Sequence, residues 1–227
     1  MLTQQVIREA LIKALSTGAD YAEVYAEHTE QKTISLVSAK VDKIADAVIS
    51  GVGIRIFKGT RCVAGSASSL DAAAVLSCAA RVAEALQGVP EHGDVVLRER
   101  IFGDIHPIRI VPASVENASK IDYVREACLA AKEYSQEISQ VTGSFLEVDH
   151  KILIATSEGL FATDRQIRTR VNVSAIASDG NENQTGGVAP GARKGLELFE
   201  EFDPGELGGK RQSRQSPCSM RAILTQA

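Results

Sequence analysis

Tryptophan is absent from this 227-residue sequence, and aromatic residues make up only 4% of it. So few rings leave little for the stacking platforms that hold single-stranded bases, and the core must be built mainly from Val, Ile, Leu and Ala. No apolar run approaches the roughly 18 to 20 residues that a membrane-spanning helix needs. The first residues, Met1 to Gln5, contain no basic region that leads into an apolar stretch. We therefore expect a cytoplasmic protein.

Cysteine is scarce and scattered. The four cysteines, Cys62, Cys78, Cys128 and Cys218, form no C-x-x-C pair. This spacing excludes a zinc ribbon and a thioredoxin-like motif. We predict that they are buried free thiols.

Acidic side chains are missing from the last part of the chain. Residues 207–227 hold four of the 25 Lys and Arg residues (Lys210, Arg211, Arg214 and Arg221) and none of the 29 Asp and Glu residues. The formal net charge of −4 is therefore the sum of a −8 body and a +4 tail. An acidic body argues against a broad phosphate-binding surface, because Lys and Arg dominate the affinity for nucleic acids. We expect no direct nucleic-acid partner.

The hydrophobic periodicity alternates between helical and strand patterns. The predicted helices cover residues 4–17, 72–86 and 119–136. Strands are predicted from residue 21 and at 32–38, 40–49, 52–57, 61–67, 138–148, 151–156, 160–163 and 166–178. Residues 88–117, rich in Pro and Gly, are predicted to be an extended connection and the best internal boundary. Strands that cluster apart from the helices favour an α+β fold with antiparallel or mixed β-sheets and covering helices.

The histidines show no metal-binding pattern. None of His28, His92, His106 and His150 lies three to five residues from another, as a helical metal pair requires. We interpret each as an exposed or hydrogen-bonded structural residue. The sequence also lacks a G-x-S-x-G nucleophile motif. We assign no catalytic residue and no metal ligand.

Two glycine-rich segments invite a ligand-binding interpretation. Gly51-Val52-Gly53 lacks the third glycine and the following helix of a dinucleotide-binding loop. We predict a hairpin turn or a bulge there, because glycine tolerates positive φ. Gly186, Gly187 and Gly191 lie in a segment that is predicted to be a mobile loop. This loop could contact a ligand, but its composition indicates only a loop.

Arg165, Arg168 and Arg170 form a small basic cluster, with Arg168 and Arg170 on one face of a strand. A solvated strand face is the favoured interpretation. The alternative is that these arginines bind the carboxylates or the backbone of an extended peptide, since the guanidinium pairs with carboxylate in a bidentate way. The substrate-binding residues remain unassigned.

Three stretches occur in an order that is typical of one protein family. The first runs from Gly18-Ala19-Asp20-Tyr21 through Ile34-Ser35-Leu36 to Gly51–Arg55 and Gly65. The second joins Lys120-Ile121-Asp122 to Ile138–Val141, and the third joins Ile154–Leu160 to Asp164-Arg165 and Gly191–Glu197. Over about residues 3–206, the chain resembles the N-terminal half of the TldD/PmbA family. These proteins have long been labelled modulators of DNA gyrase and are now regarded as metalloproteases.

The resemblance implies a two-domain cytoplasmic protein, often a homodimer or a heterodimer, that cleaves unfolded peptides. Its zinc centre lies in the C-terminal half, where an H-E-x-x-x-H helix and a later cysteine bind the metal. Zinc chemistry suits peptide hydrolysis, because the ion lowers the pKa of bound water and polarises the carbonyl. No position of this chain reads H-E-x-x-x-H. The resemblance therefore implies zinc only in a half that this sequence does not contain.

The family pattern is lost near Leu207. The following residues, 208–217, are basic and rich in Ser and Gln, which makes a poor helix. We expect residues 1–206 to form a TldD/PmbA-like N-terminal domain and residues 207–227 to form a divergent, poorly ordered tail. A frameshift or a gene truncation would explain the change.

We predict that this chain is the non-catalytic N-terminal part of a peptidase that acts on unfolded peptides. It would contribute to a substrate channel and to a dimer interface with a second copy or with a family member, and would be inactive alone. The alternative is a non-enzymatic binding or regulatory module that acts on gyrase or on a toxin–antitoxin pair. An acidic body favours a protein partner for such a module.

Overall fold

Helices and strands follow one another in the order that the hydrophobic pattern predicts. The computed structural model describes residues 1–89, 93–178 and 180–207. Its elements are α1 Gln4–Leu15, β1 Tyr21–Val37, β2 Lys40–Lys58, β3 Arg61–Ala67, α2 Ala72–Leu86, β4 Arg98–Arg100, a 3₁₀ turn Pro112–Ser114, α3 Asn117–Lys132, β5 Ile138–Thr156, β6 Leu160–Ser178, β7 Asn183–Val188, β8 Gly191–Ala192, α4 Leu198–Glu201 and α5 Pro204–Leu207. The predicted α+β class is confirmed.

The strands form an eight-stranded sheet in the order β3-β2-β1-β5-β6-β4, with β7 and β8 also paired to β6. β3 pairs antiparallel with β2, and β7 and β8 pair antiparallel with β6. The short strand β4 pairs parallel with β6. The sheet is thus mixed and largely antiparallel, as predicted.

Four strands are longer than the sequence pattern predicts. β1 has 17 residues, and β2, β5 and β6 have 19 each. The breaks predicted before residue 32 and near residues 50, 150 and 165 are wrong. Polar residues and glycines interrupt the apolar alternation there, but they can remain extended because exposed strand positions need no apolar side chain.

Of the hairpin turn or bulge predicted at Gly51-Val52-Gly53, the turn is wrong, since these residues lie inside β2, and the bulge stays a prediction. Val52 pairs with Ala67 and Gly53 with Ser66 of β3. The chain reverses instead at Ser38 and Ala39, whose φ angles are 48° and 62°. Two successive residues at positive φ are typical of a two-residue hairpin turn, although neither is glycine. The gaps between the strands predicted at 52–57 and 61–67 and at 151–156 and 160–163 are turns, with φ of 55° at Gly59 and 101° at Gly159.

Local hydrogen bonds and backbone conformations define the ends of α1 and α2. Thr3 caps α1 by accepting a hydrogen bond from the Val6 amide at 3.4 Å. The N-cap of α2 is Asp71, whose backbone amide donates to the Ser69 hydroxyl at 3.0 Å. Gln87 takes the left-handed conformation after α2, with φ of 54°. The following glycine, Gly88, allows a close approach, because a Cβ there would lie 1.9 Å from the Thr17 carbonyl oxygen.

The described chain divides into two compact units. Unit 1 comprises residues 1–30, 48–104 and 150–166, and unit 2 comprises residues 31–47, 105–149 and 167–207 of the described chain. The boundaries fall inside β1, β2, β5 and β6, and between residues 104 and 105 of the predicted connection. The prediction that residues 1–206 are one domain type remains a prediction, and the predicted tail lies beyond the described residues from 208 onward.

Unit 1 has an aliphatic core. Residues Ile7, Ala10, Leu11 and Ala14 of α1 are buried, because their helical spacing places them on one face. The core also contains alternate residues of β1 and β2 and the apolar stripe of α2. Its larger members are Val24, Val52, Ile54, Ile56, Val75, Val82, Leu86 and Leu153.

The first part of the predicted connection packs against α1 in unit 1. The Arg8 Nε atom donates to the Val95 carbonyl at 2.9 Å, and the side-chain amide of Gln4 (Nε2) donates to the Leu97 carbonyl at 3.2 Å. Val95 and Leu97 are buried. This segment is therefore anchored, and it leads directly into β4.

Unit 2 has a core that combines aliphatic and aromatic residues. α3 buries Val124, Ala127 and Ala131. The buried Phe145 of β5 lies edge-on to Phe199 at 5.5 Å, and Phe199 stacks on Tyr123 at 3.7 Å between ring centroids. α3 begins two residues earlier and ends four residues earlier than the predicted helix at 119–136.

Candidate functional site

The family motif at Gly191–Glu197 folds into a tightly anchored turn in unit 2. Its first residues form β8, which pairs with Thr169 and Arg170 of β6. The buried Thr169 hydroxyl lies 2.8 Å from the Lys194 carbonyl oxygen and 2.9 Å from that of Gly195. Gly195 must be glycine, because a Cβ there would lie 1.9 Å from the Ile110 carbonyl oxygen. The motif therefore sits against residues 109–110 with no room for a side chain at Gly195.

The Glu197 carboxylate joins these two segments. It accepts hydrogen bonds from the backbone amides of Gly195 at 2.8 Å, Ile110 at 2.9 Å and Arg109 at 3.4 Å. Burial by itself would raise the pKa of Glu197, but the bonds from these amides outweigh it and hold the pKa below its usual range. Glu197 is consequently a charged structural group whose acceptor sites are occupied by the backbone.

A cavity of about 480 Å³ opens beside Glu197. Its walls are formed by two short segments of unit 2, namely Pro107, Ile108, Arg109, Lys194, Glu197, Glu200 and Glu201. Arg109 pairs with Glu200, and Lys194 pairs with Glu201. The charges of the wall are thus neutralised in pairs, apart from Glu197, and none of the lining residues is Ser, Thr, Cys or His. This cavity can hold a polar group.

Unit 1 contains a network of histidines and carboxylates on its sheet. His28 lies 2.7 Å from the Ser50 hydroxyl and 2.9 Å from a carboxylate oxygen of Glu30. The bond from His28, followed by the charge of Lys151, lowers the pKa of Glu30. The prediction that His28 is a hydrogen-bonded structural residue agrees with this geometry.

His150 lies in a second hydrogen-bonded group of unit 1. Its Nε2 lies 3.3 Å from a carboxylate oxygen of Glu27, which also accepts from the Tyr25 hydroxyl at 3.0 Å. Burial, followed by the bond to Glu27, raises the pKa of Tyr25. His106 also has an interaction partner, and His92 lies outside the described residues.

These side chains do not fit the zinc that the family implies. Within the described ranges, no group of three His, Cys, Asp or Glu residues is placed to hold a metal ion. The carboxylates of Glu27 and Glu30 instead accept bonds from Tyr25, the histidines and Lys151. We derive no metal-dependent step from this chain.

The described cysteines are free thiols, but they are not all buried. Cys78 and Cys128 are buried as predicted, and burial raises the pKa of Cys128 to about 11. Cys62 is exposed, so the prediction is wrong for this residue. It lies at the start of the edge strand β3, where alternate residues face solvent. Cys218 lies outside the described residues.

The glycine segment at 186–191 is ordered, which corrects the prediction of a mobile loop. Gly186 and Gly187 belong to β7, where they pair with Ala175 and Ser174 of β6, and Gly191 begins β8. A Cβ at Gly187 would lie 2.7 Å from the Val173 carbonyl oxygen. Glycine is used here for close strand packing, which the composition alone does not distinguish from a loop.

The arginine cluster follows the predicted strand geometry. Arg168 and Arg170 are exposed on one face of β6, opposite the buried Ile167 and Thr169. Arg165 and Arg168 each have an interaction partner within the chain. The exposed face agrees with the interpretation as a solvated strand surface.

Sequence reasoning missed a buried ion pair in unit 2. The Lys120 ammonium of α3 lies 2.6 Å from a carboxylate oxygen of Glu147 in β5, and the two residues are 1% and 8% exposed. A signal was present, because Lys120 occurs at helical spacing from Val124, Ala127 and Ala131 on the buried stripe of α3. A charged residue in an apolar stripe indicates a buried partner, but the spacing does not say which one.

Two segments of the chain match models of known protein domains. Residues 22–86 match the family described as PmbA/TldA metallopeptidase domain 1, and residues 110–215 match its central domain. The second match contains the Lys120 helix and the anchored motif at Gly191–Glu197. The chain belongs to the PmbA/TldD metallopeptidase family.

Individual proteins of this family are similar to the chain in sequence or in fold. The Metalloprotease TldD homolog of Haemophilus influenzae is 23% identical over 219 residues, covering 92% of this chain and 44% of the relative. A crystal structure from Bacteroides thetaiotaomicron, which carries the name modulator of DNA gyrase, aligns with a TM-score of 0.76 at 13% identity over 99% of this chain and 50% of its own. TldE from Thermococcus kodakarensis aligns with a TM-score of 0.64 at 14% identity, covering 89% and 46%. The chain therefore shares this fold and spans about half the length of the relatives it matches.

None of the described helices combines the length and the apolar character that a transmembrane helix requires.

Proposed function

We propose that this chain is the N-terminal, non-catalytic part of a PmbA/TldD-type peptidase that acts on unfolded peptides. The observation that carries the proposal is the pair of family matches, which assign domain 1 and the central domain to this chain. In the proposal, residues 1–206 help to shape a substrate channel and a dimer interface. The zinc centre is supplied by residues that are not in this sequence.

The chemistry of the described side chains supports this division of roles. Glu197 is saturated by backbone amides, and the carboxylates near His28 and His150 are engaged with hydrogen-bond donors. A zinc-activated water needs three protein ligands and an open position, and an acid–base role needs a carboxylate within reach of substrate. The described groups are better suited to holding the fold than to hydrolysis.

Metal analysis and a protease assay test the proposal. The purified chain should contain far less than one zinc per molecule and should not cleave an unfolded substrate such as reduced, denatured casein. One zinc per chain together with EDTA-sensitive cleavage would overturn it. In that case, replacing both His28 and His150 by Ala, with His106→Ala as the matched control, would show whether the network of unit 1 binds the metal.

A pull-down tests the partner. We expect the immobilised chain to capture a PmbA/TldD family member that carries an H-E-x-x-x-H motif. Capture of gyrase subunits instead would contradict the peptidase role and favour the regulatory alternative.

A further inference from the structure

Three polar side chains of unit 1 form a continuous series of hydrogen bonds across the neighbouring strands β1 and β2. The Ser50 hydroxyl of β2 lies 2.7 Å from Nδ1 of His28 in β1. Nε2 of the same ring lies 2.9 Å from a carboxylate oxygen of Glu30. Hydroxyl, imidazole and carboxylate in this order form the contacts of a Ser-His-Glu triad, which is recognised by its geometry and not by sequence position.

The charge of Glu30 determines which nitrogen of His28 carries the hydrogen. The bond from His28, followed by the charge of Lys151, holds the pKa of Glu30 below its usual value, so this carboxylate is ionised at neutral pH. An ionised carboxylate accepts hydrogen bonds and donates none. Nε2 of His28 is therefore the donor to Glu30, and in the neutral ring Nδ1 is the acceptor. The basic nitrogen thus faces the Ser50 hydroxyl.

The two ring nitrogens have exchanged the roles that they have in the Ser-His-Asp triad. In that triad Nε2 faces the serine and Nδ1 faces the carboxylate, whereas here Nδ1 faces Ser50 and Nε2 faces Glu30. In both arrangements one nitrogen accepts the hydroxyl proton and the other donates to a carboxylate that orients the ring. Serine is a weak nucleophile by itself, and a base held in this way activates it.

Solvent reaches all three residues of this group. Ser50 is half-buried, and the side chains of His28 and Glu30 are 27% and 48% exposed. Within the described ranges, β3 pairs with β2 only from Val52 onward, so its pairing ends before Ser50. A small reagent can therefore meet a serine whose hydroxyl already contacts a base.

We propose that Ser50 is an activated nucleophile that takes an acyl group from a small ester with a good leaving group, with His28 as the base and Glu30 as the residue that positions it. Oγ of Ser50 attacks the carbonyl carbon, and its proton passes to Nδ1 of His28. The bond between that carbon and the leaving oxygen then breaks, and His28 gives the proton to the leaving group. The products are an O-acyl serine and an alcohol or a phenol, and the histidine is neutral again.

This activity goes beyond the proposed function and is independent of it. The step transfers an acyl group to the protein and does not hydrolyse a peptide, because an amide has a far poorer leaving group than an aryl ester. It also needs no metal ion. A chain that fails to react at Ser50 would therefore leave the peptidase assignment as it stands.

Labelling of the 227-residue chain with an alkyl fluorophosphonate locates the nucleophile. Phosphorus replaces the carbonyl carbon as the atom attacked, fluoride leaves, and the stable serine adduct is located by mass spectrometry of peptides. Ser66 is the matched comparison, because it lies on the neighbouring strand β3 and is more exposed than Ser50. We expect Ser50 to be labelled about tenfold faster than Ser66 or more. Equal rates, or no label on Ser50, would overturn the proposal.

His28→Ala tests the base. The variant removes the acceptor of the hydroxyl proton, so the rate of labelling at Ser50 should fall by about 100-fold. Circular dichroism melting checks that the variant is folded. A loss of less than about tenfold would show that His28 does not activate the hydroxyl, and would contradict the proposal. If the variant is unfolded, the comparison of Ser50 with Ser66 and the variants of Glu30 decide instead.

Glu30→Gln tests the positioning residue. The glutamine amide donates as well as accepts, so it no longer determines which nitrogen of His28 carries the hydrogen. The rate of labelling at Ser50 should fall by about tenfold or more, and Glu30→Asp, which keeps the carboxylate, should retain more of the rate than Glu30→Gln. Equal losses in these two variants would show that the charge of residue 30 has no part in the reaction.

Glu27→Gln is the matched control for Glu30→Gln. It makes the same substitution on the same strand, but the Glu27 carboxylate contacts His150. The rate of labelling at Ser50 should change by less than about threefold. A loss as large as that of Glu30→Gln would indicate a general effect on the sheet and contradict the positioning role.

p-Nitrophenyl acetate tests the transfer of an acyl group itself. Samples are taken at short times in the presence of EDTA and quenched with acid, which preserves an acyl serine. The readout is the acetyl group on the Ser50 peptide, because lysines and the exposed Cys62 also react with this ester. We expect this acetyl group in the wild-type chain, and far less of it in His28→Ala. Labelling by the fluorophosphonate without acetylation of Ser50 would show that the nucleophile takes no acyl group, and would overturn the proposal.

Discussion

The two units of the chain are stabilised in different ways. The core of unit 1 is almost entirely aliphatic, and its charged groups, such as those around His28, lie at the surface of the sheet. Unit 2 adds aromatic stacking and buries Lys120, Glu147, Thr169 and Glu197. The contacts of the Glu30 carboxylate in unit 1 are thus partly exposed, whereas the Lys120–Glu147 ion pair in unit 2 is desolvated.

This difference changes what each polar contact contributes. An exposed ion pair contributes about 0–1 kcal/mol, because water already solvates both charges. A buried pair contributes little beyond an apolar substitute, but the loss of one partner leaves a desolvated charge. Unit 2 should therefore be far more sensitive to single polar substitutions than unit 1.

The largest expected effect is at Lys120 in unit 2. Lys120→Ala leaves the Glu147 carboxylate, 2.6 Å from the ammonium in the wild type, buried without its cation. We expect the free energy of unfolding to fall by about 3–5 kcal/mol. Urea unfolding followed by circular dichroism measures the loss, and hydrogen exchange should show it in α3 and β5.

The double variant Lys120→Met/Glu147→Leu is its control. Replacing both charges by apolar residues of similar size should leave stability unchanged or raise it by about 1–4 kcal/mol. If Lys120→Ala costs no more than about 1 kcal/mol, the pair is effectively solvated and the contrast between the units fails.

A smaller effect is expected at Glu197, also in unit 2. Glu197→Gln removes the charge that accepts from the amides of Gly195 and Ile110, and should cost about 1–3 kcal/mol at neutral pH. Because folding lowers the pKa of Glu197, the stabilisation is present above the ordinary glutamate pKa and is lost as the pH falls through the folded value. The difference between wild type and variant should therefore shrink below about pH 4.

Glu200→Gln is the matched control on the same segment. Glu200 pairs with Arg109 at the surface, so this variant should change stability by no more than about 1 kcal/mol. A difference at Glu197 that stays constant down to low pH would show that the wild-type charge is not what stabilises the turn.

The smallest effect on the free energy of unfolding is expected for Glu30→Gln in unit 1. Glu30→Gln weakens the bonds from His28 and Lys151, but the Glu30 side chain is 48% exposed. We expect a loss of about 0–1 kcal/mol that disappears in 1 M salt, where the Debye length is about 3 Å. Unfolding curves at low and high salt measure it. A cost equal to that of Glu197→Gln would mean that burial does not separate the two units.

The fold class followed from the sequence because it depends on local periodicity. The apolar spacing in α1 and α2 predicts these helices nearly to the residue, and the alternation in Ala22, Val24 and Ala26 predicts the start of β1. The lengths of the strands did not follow from the sequence. Residues 40–49 have no buried face, so their pattern did not reveal that they continue into Val52 and Ile54 as one strand.

The candidate sites were harder to predict, because they are formed by residues far apart in sequence. Glu197 was part of a recognised motif, but its role depends on the amides of residues 109 and 110. Lys120 was also in a recognised stretch, and its partner Glu147 lies on another element. The spacing of residues along one helix or strand cannot identify a contact between residues that are tens of positions apart in the sequence.

The sequence by itself determined the class of fold, the resemblance to the PmbA/TldD family and the absence of an H-E-x-x-x-H motif. These features depend on residue order within single elements. Only the tertiary structure decided that Gly51 and Gly53 lie within a strand, that Glu197 is satisfied by backbone amides and that, among the described residues, β3 pairs with β2 only from Val52 to Lys58. Those features depend on which distant segments meet, because burial and hydrogen bonding are properties of the assembled sheet and its covering helices.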